Sequence, residues 1–148
     1  MLFRSNLGLS NISVSGSRTS LGLTSAQMTQ YADALAMISS DYRLTVSDVS
    51  IDNVAEMTAN PKVVAIGIAD TAANISAGLD DLQLLGDKLA SIRQIGVPQN
   101  ITITAGQAAK DVGALATLSG FRVAVSDTPE NIATNMADRK STRLNSSH

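Results

Sequence analysis

The chain has no cysteine and no tryptophan, and its one histidine is the final residue, His148. Disulfides are excluded, and ahead of that last position so are zinc sites and any nucleophilic chemistry built on thiolate or imidazole. Aromatic residues make up only 3%, and acidic residues outnumber basic ones 13 to 11. A nucleic-acid surface needs clustered cations and stacking platforms, so nucleic acid is not an expected partner. No apolar run approaches eighteen residues, so no membrane span is expected. Phosphate-cradling glycine loops are missing too: Gly67 to Asp70 lacks the second and third glycines of a dinucleotide turn. No cofactor, metal or enzyme activity is expected. The lack of cysteine suits a large bacterial surface protein as well as a cytosolic one.

Both ends of the chain read as foreign to the rest. Asp138 to His148 (DRKSTRLNSSH) is what one frame of a widely used sequencing adapter encodes, codon by codon, and Met1 to Ser5 (MLFRS) fits the reverse complement of the same oligonucleotide. Such segments are set aside before fold reasoning. Residues 1–5 are expected to be an adapter-derived scar and 138–148 an adapter-derived, disordered tail. Between them the chain keeps seven basic and twelve acidic residues, a net charge of −5. Residues 6–19, rich in Ser, Asn and Gly, are expected to form a loosely packed edge with Ile12 and Val14 as a short strand.

What is present is aliphatic and patterned. In Val63 to Ile68, Val64, Ile66 and Ile68 alternate with Ala65 and Gly67, the period of a strand. Ile75, Leu79 and Leu82 then follow at helical spacing. Asp70 stands where a helix N-cap is expected, accepting from the N–H of Ala72 or Ala73. This is one βα unit.

The unit recurs across residues 20–137. Leu21, Leu23, Thr24, Gln27, Ala34 to Ala36 and Ser39 match Ile101, Ile103, Thr104, Gln107, Ala114 to Ala116 and Ser119 at a shift of 80, and Tyr42 to Asp48 matches Phe121 to Asp127 at 79. A shorter echo relates Asp70-Thr71, Asn74-Ile75 and Leu79 to Asp127-Thr128, Asn131-Ile132 and Met136 at 57. Strands are expected near 21–23, 42–46, 63–68, 89–94, 101–104 and 121–125. Helices are expected over 26–38, 51–59, 71–85 and 106–118, with one more starting at Thr128. Met28, Ala32, Leu35 and Ile38 share the helix phase of Ala108, Val112, Leu115 and Leu118.

Strands separated by single helices are parallel with right-handed crossovers, which gives an α/β fold. Stacking in chain order makes a curved solenoid, because strands lie about 4.8 Å apart and helices need 8–10 Å. Repetition at two periods favours it. The alternative is a compact doubly wound α/β sheet.

The DTAANI segment with the following Leu79-Asp80-Asp81-Leu82, and the run Thr102 to Ala108 after a Gly/Pro turn, resemble the tandem Ala/Thr/Val-rich arrays of very large secreted or surface proteins of proteobacteria. The resemblance implies an extracellular or cell-surface location, type I secretion and a structural or adhesive, non-catalytic role. The Gly-Gly-x-Gly-x-Asp calcium repeat of such proteins is absent. The alternative is a non-catalytic fragment of an α/β enzyme whose active residues lie outside the sequenced piece.

Among polar residues, Asp48, Asp70 and Asp127 recur after strands and are expected as helix caps, since single aspartates supply too few ligands for calcium. Asn53, Asn74 and Asn131 recur four or five residues later, a spacing that suggests an asparagine ladder in which each amide pairs with the turn of the next unit. Asp80-Asp81 reads as solvated helix charge. With Leu44 and Val46, Ile101 and Ile103, and Val123 and Val125 facing the helices, Thr45, Thr102, Thr104 and Ala124 turn to the open face together with the candidate contacts Arg43, Arg93 and Arg122. Expected partners are neighbouring repeats and, through those arginines, acidic glycan or a surface protein.

Overall fold

Strands and helices alternate along the chain in a computed structural model, which describes residues 12–15, 19–135 and 137. Expectations for residues 1–5 and 138–148, and for Met136, fall outside these. The order is β1 (Ser20–Thr24), α1 (Ser25–Gln30), α2 (Ala32–Ala36), β2 (Arg43–Val49), a 3-10 turn, α3 (Val54–Ala59), β3 (Val63–Asp70), α4 (Ala72–Ala77), α5 (Leu79–Leu84), a second 3-10 turn, β4 (Leu89–Gln94), β5 (Ile101–Ile103), α6 (Ala105–Lys110), α7 (Val112–Ala116) and β6 (Val123–Val125), with helical residues 129–135 after it. The fold is α/β with parallel sheets. It divides into two compact units, Met1–Ala69 and Asp70–His148.

In the first unit β1, β2 and β3 lie side by side in chain order and run parallel. Leu21 pairs with Leu44 and Leu23 with Val46 in an unbroken register. Between β2 and β3 the register slips twice. Leu44 faces Val63 but Thr45 faces Ala65, so Val64 is an extra residue; Val46 faces Ile66 but Val49 faces Ile68, so β2 carries the extra residue there. Each slip is a bulge that exchanges inward and outward positions. This corrects the simple alternation: Val64 is exposed and Val63 joins Ile66 and Ile68 in the core. Val49 is buried for the same reason, and Asp48 at the second slip takes the left-handed φ of 56°. Leu44, Val46, Val49, Val63, Ile66 and Ile68 form the centre of this core, with Met37 and Met57 from the helical side. Ile12 makes an isolated parallel bridge to Ile38, and the Val14 N–H donates to Ser40 Oγ at 2.8 Å, so a single bridge stands where a short strand was expected.

In the second unit Ile75, Leu79 and Leu82 are buried as their spacing requires, each stabilising by roughly 1.5–3 kcal/mol. They share the core with Leu89, Ile92, Ile101, Ile103, Ala105 and Ala114. The Ile95 N–H, just after β4, donates to the Asp70 carbonyl at 2.9 Å. β5 pairs with β6 in a separate two-stranded sheet, and Ile92 bridges in parallel to Leu118.

The helices are shorter than the periodicity implies. The stretch expected over 26–38 breaks at Tyr31, that over 106–118 at Asp111, and that over 71–85 at Gly78. Each break rotates the face that follows, so Val112 is exposed and Ala114 takes the inward place. The equivalent Ala32 is exposed as well.

Candidate functional site

Polar chemistry concentrates at the strand-to-helix turns, and threonine rather than aspartate caps them. Thr24 Oγ1 accepts from the Gln27 N–H at 3.1 Å while Gln27 Oε1 accepts from the Thr24 N–H at 2.9 Å. Thr104 and Gln107 repeat this capping box at 3.1 and 3.0 Å. The box satisfies two backbone donors that a helix start leaves unpaired. The motif Thr-x-x-Gln was its signal in the sequence.

The cap expectation for Asp70 and Asp127 is therefore shifted by one residue. Thr71 is the N-cap of α4, its Oγ1 accepting from the Asn74 N–H at 3.3 Å. Asp70 Oδ1, one residue outside, accepts from the Thr71 N–H and from Asn74 Nδ2, both at 2.8 Å. Thr128 Oγ1 and Asn131 reproduce the cap at 3.3 Å, and Asp127 Oδ1 takes the Thr128 N–H at 2.8 Å and Asn131 Nδ2 at 2.7 Å. Asp127 Oδ2 also accepts from the Ala105 N–H at 3.0 Å. These donors, Asn131 first, hold the Asp127 carboxyl below the usual carboxylate range. Asp48 is not the N-cap residue, because the bulge carries β2 on to Val49 and Ser50 holds that position before the 3-10 turn.

The same contacts replace the asparagine ladder. Asn74 and Asn131 reach back four residues to an aspartate of their own unit instead of across to the next one. Asn53 is exposed at the end of the 3-10 turn, where its N–H donates to the Ser50 carbonyl at 3.0 Å. A side chain leaving the first turn of a helix points back toward the helix start, which favours the local partner.

Glutamine makes the longer bridges in the second unit. Gln107 Nε2 donates to the Ser76 carbonyl at 3.2 Å, and Ser76 Oγ donates to the Thr102 carbonyl, tying α4 to β5. Gln83 Oε1 on α5 accepts from the Ala114 N–H of α7 at 2.9 Å. Its amide lies against Gly113, where a Cβ would come within 3.2 Å.

A carboxyl pair lies in the same α5–α7 seam. Asp111, at the break between α6 and α7, is 3% exposed, and its Oδ2 has no hydrogen-bond partner among the described residues. Burial first, then the neighbouring Asp80 carboxyl, raise its pKa to about 6, with Lys110 pulling the other way. Asp80 itself is exposed, as is Asp81. Little of Asp111 is open to a reactant. Sequence carries no mark of it, since Lys110-Asp111 reads as surface charge until the helix breaks.

Arg43 and Arg122 are exposed, one in each unit, and Arg93 is exposed while making an interaction of its own. Thr102, Thr104 and Ala124 are exposed and Thr45 half-buried, while Leu44, Val46, Ile101 and Ile103 are buried as expected. Val123 and Val125 are not: they are 44% and 48% exposed, β6 being paired only with β5 among the described residues. Among the described residues no three of His, Cys, Asp and Glu gather in one place, and no helix is long and apolar enough to cross a membrane. No protein-family model, no curated protein and no solved structure matches the chain.

Proposed function

We propose that the chain is a segment of an extracellular or cell-surface repeat protein, with a structural or adhesive and non-catalytic role, in which βα units stack as a curved solenoid. One observation carries the reading: hydrogen bonding repeats with the sequence. The capping box at Thr24 and Gln27 returns at Thr104 and Gln107, and the parallel bridge of Ile12 with Ile38 returns as Ile92 with Leu118. In both places the backbone N–H of the bridging isoleucine reaches the residue before its partner, Met37 at 3.0 Å and Thr117 at 3.3 Å. Identical local chemistry eighty residues apart is what an array of nearest-neighbour units requires.

Adhesion enters through the arginines. Single exposed cations at Arg43 and Arg122, displayed once per repeat, suit weak contacts with acidic glycan that gain strength through copy number. The test has two arms. Flanking DNA is expected to encode further copies of the pattern, and a glycine-rich phosphate loop or catalytic cluster there would overturn the reading. A multi-repeat protein is expected to be retained on an anionic glycan surface and released when every Arg43 and Arg122 equivalent becomes Ser. Equal retention at matched salt removes the adhesive role.

A further inference from the structure

The two sheets hold strand pairs that agree residue for residue. Leu21, Gly22 and Leu23 face Leu44, Thr45 and Val46, and at the equivalent positions Ile101, Thr102 and Ile103 face Val123, Ala124 and Val125. β6 therefore stands to β5 as β2 stands to β1. β2 is covered on its other edge by β3, and the Leu44 N–H donates to the Lys62 carbonyl just before that strand at 2.7 Å. β6 has no strand there among the described residues, and its two valines are half exposed where Leu44 and Val46 are fully buried. Ser126 donates to the Ile103 carbonyl at 2.9 Å, so the strand alternation turns the N–H groups of Val123 and Val125 away from β5, toward the open edge. An unpaired edge carrying aliphatic side chains is a template for another strand.

We propose that the open edge of β6 is the seat of a parallel strand of the β3 type, supplied with its following helices by a further repeat. The inference rests on the array reading and specifies the partner's chemistry. Val123 would face a residue of the Val63 type and donate to the carbonyl before it. Ala124 would face an Ala65 type and Val125 an Ile66 type, leaving the bulged residue between the first two positions turned outward as Val64 is. The Asp-Thr turn after β6 resembles the turn after β3 as well, but strand register assigns β6 to the β2 position, since its partner β5 matches β1.

The test compares the full chain with two variants in which residues 138–148 are exchanged for a second copy of residues 59–85, in native or shuffled order. Backbone hydrogen exchange is read at Val123 and Val125. The native-order copy is expected to slow both amides by about tenfold or more and to add helical signal, while the shuffled copy does neither. If the native copy folds but leaves both amides unchanged, the seat on β6 is wrong and the array reading stands. A copy that stays unfolded overturns the seat and withdraws support from the array. Equal protection by the shuffled copy overturns the seat, since any apolar segment would then serve.

Discussion

Pairs β1–β2 and β5–β6 share one register and one capping box, yet their burial is opposite. Leu44 and Val46 are 0% exposed, while Val123 and Val125 are close to half exposed. The local structure of a unit is thus written in its own residues, and its energy comes from the neighbour that covers it. Hydrogen bonds within the unit form in either setting, whereas the hydrophobic contribution scales with area removed from water.

The sharpest way to break this comparison is to truncate equivalent side chains. Leu44→Ala opens a cavity in a closed core and is expected to cost about 2–5 kcal/mol, while Val123→Ala is expected to cost less than about 1 kcal/mol because its site is already solvated. Midpoints of urea unfolding at constant m-value decide it. Similar losses at both positions would show that β6 is covered in solution and that the contrast is false.

Next in size is the carboxyl pair at Asp111, whose equivalent position in the first unit is Tyr31. A folded pKa of about 6 lies above the unfolded value of about 3.9, so the native state binds more protons between those values. Stability from Asp111 is fully present below about pH 4 and is lost as pH rises through 6, by on the order of 3 kcal/mol. Asp127, held low by its donors, works in the opposite sense and contributes above the ordinary carboxylate range. The Asp111 effect is therefore read between pH 4 and 7. Asp111→Asn is expected to flatten that slope and raise the thermal midpoint at pH 7. An unchanged slope would mean that Asp111 is solvated.

The sequence made much of this legible, for reasons that particular residues show. Val63 to Ile68, Leu89 to Gln94 and the Ile75, Leu79 and Leu82 face followed from periodicity alone, because side-chain burial drives both period and packing. Repeat matching placed β5 and β6 against β1 and β2. Bulges at Val64 and Asp48 were hidden, since a one-residue slip depends on the partner strand rather than the strand's own residues. Capping was misassigned to Asp70 and Asp127 although Thr-x-x-Asn stood beside each of them. Either residue type caps well, and only geometry separates cap from preceding residue. The seam of Gln83, Gly113 and the Asp80–Asp111 pair had no sequence signal, because helix breaks at Gly78 and Asp111 rather than periodicity set it.

Thr24→Ala and Thr104→Ala sharpen the comparison from its other side. Each removes the same cap, and each is expected to cost about 0.5–2 kcal/mol, the two losses agreeing within error despite the different surroundings of the strands. A loss confined to one threonine would mean that even local chemistry is set by the neighbours.

The smallest effect lies at Gly113, equivalent to Asp33 in the first unit. Asp33 is exposed, so a side chain is tolerated there, whereas a Cβ at Gly113 would meet the Gln83 amide at 3.2 Å. Gly113→Ala gains about 1 kcal/mol of helix propensity but pushes the amide from the Ala114 N–H, a hydrogen bond worth about 0.5–1.5 kcal/mol. The two terms are of similar size, so the single substitution is expected to be close to neutral. With Gln83→Ala already in place only the propensity gain is left, and the same substitution is expected to stabilise by about 1 kcal/mol. Gln83 is the far end of a flexible chain, so the cycle and not the single variant carries the information. Equal effects of Gly113→Ala in both backgrounds would show that Gln83 moves aside without loss, and that the α5–α7 seam is held by burial of Leu79, Leu82 and Ala114 alone.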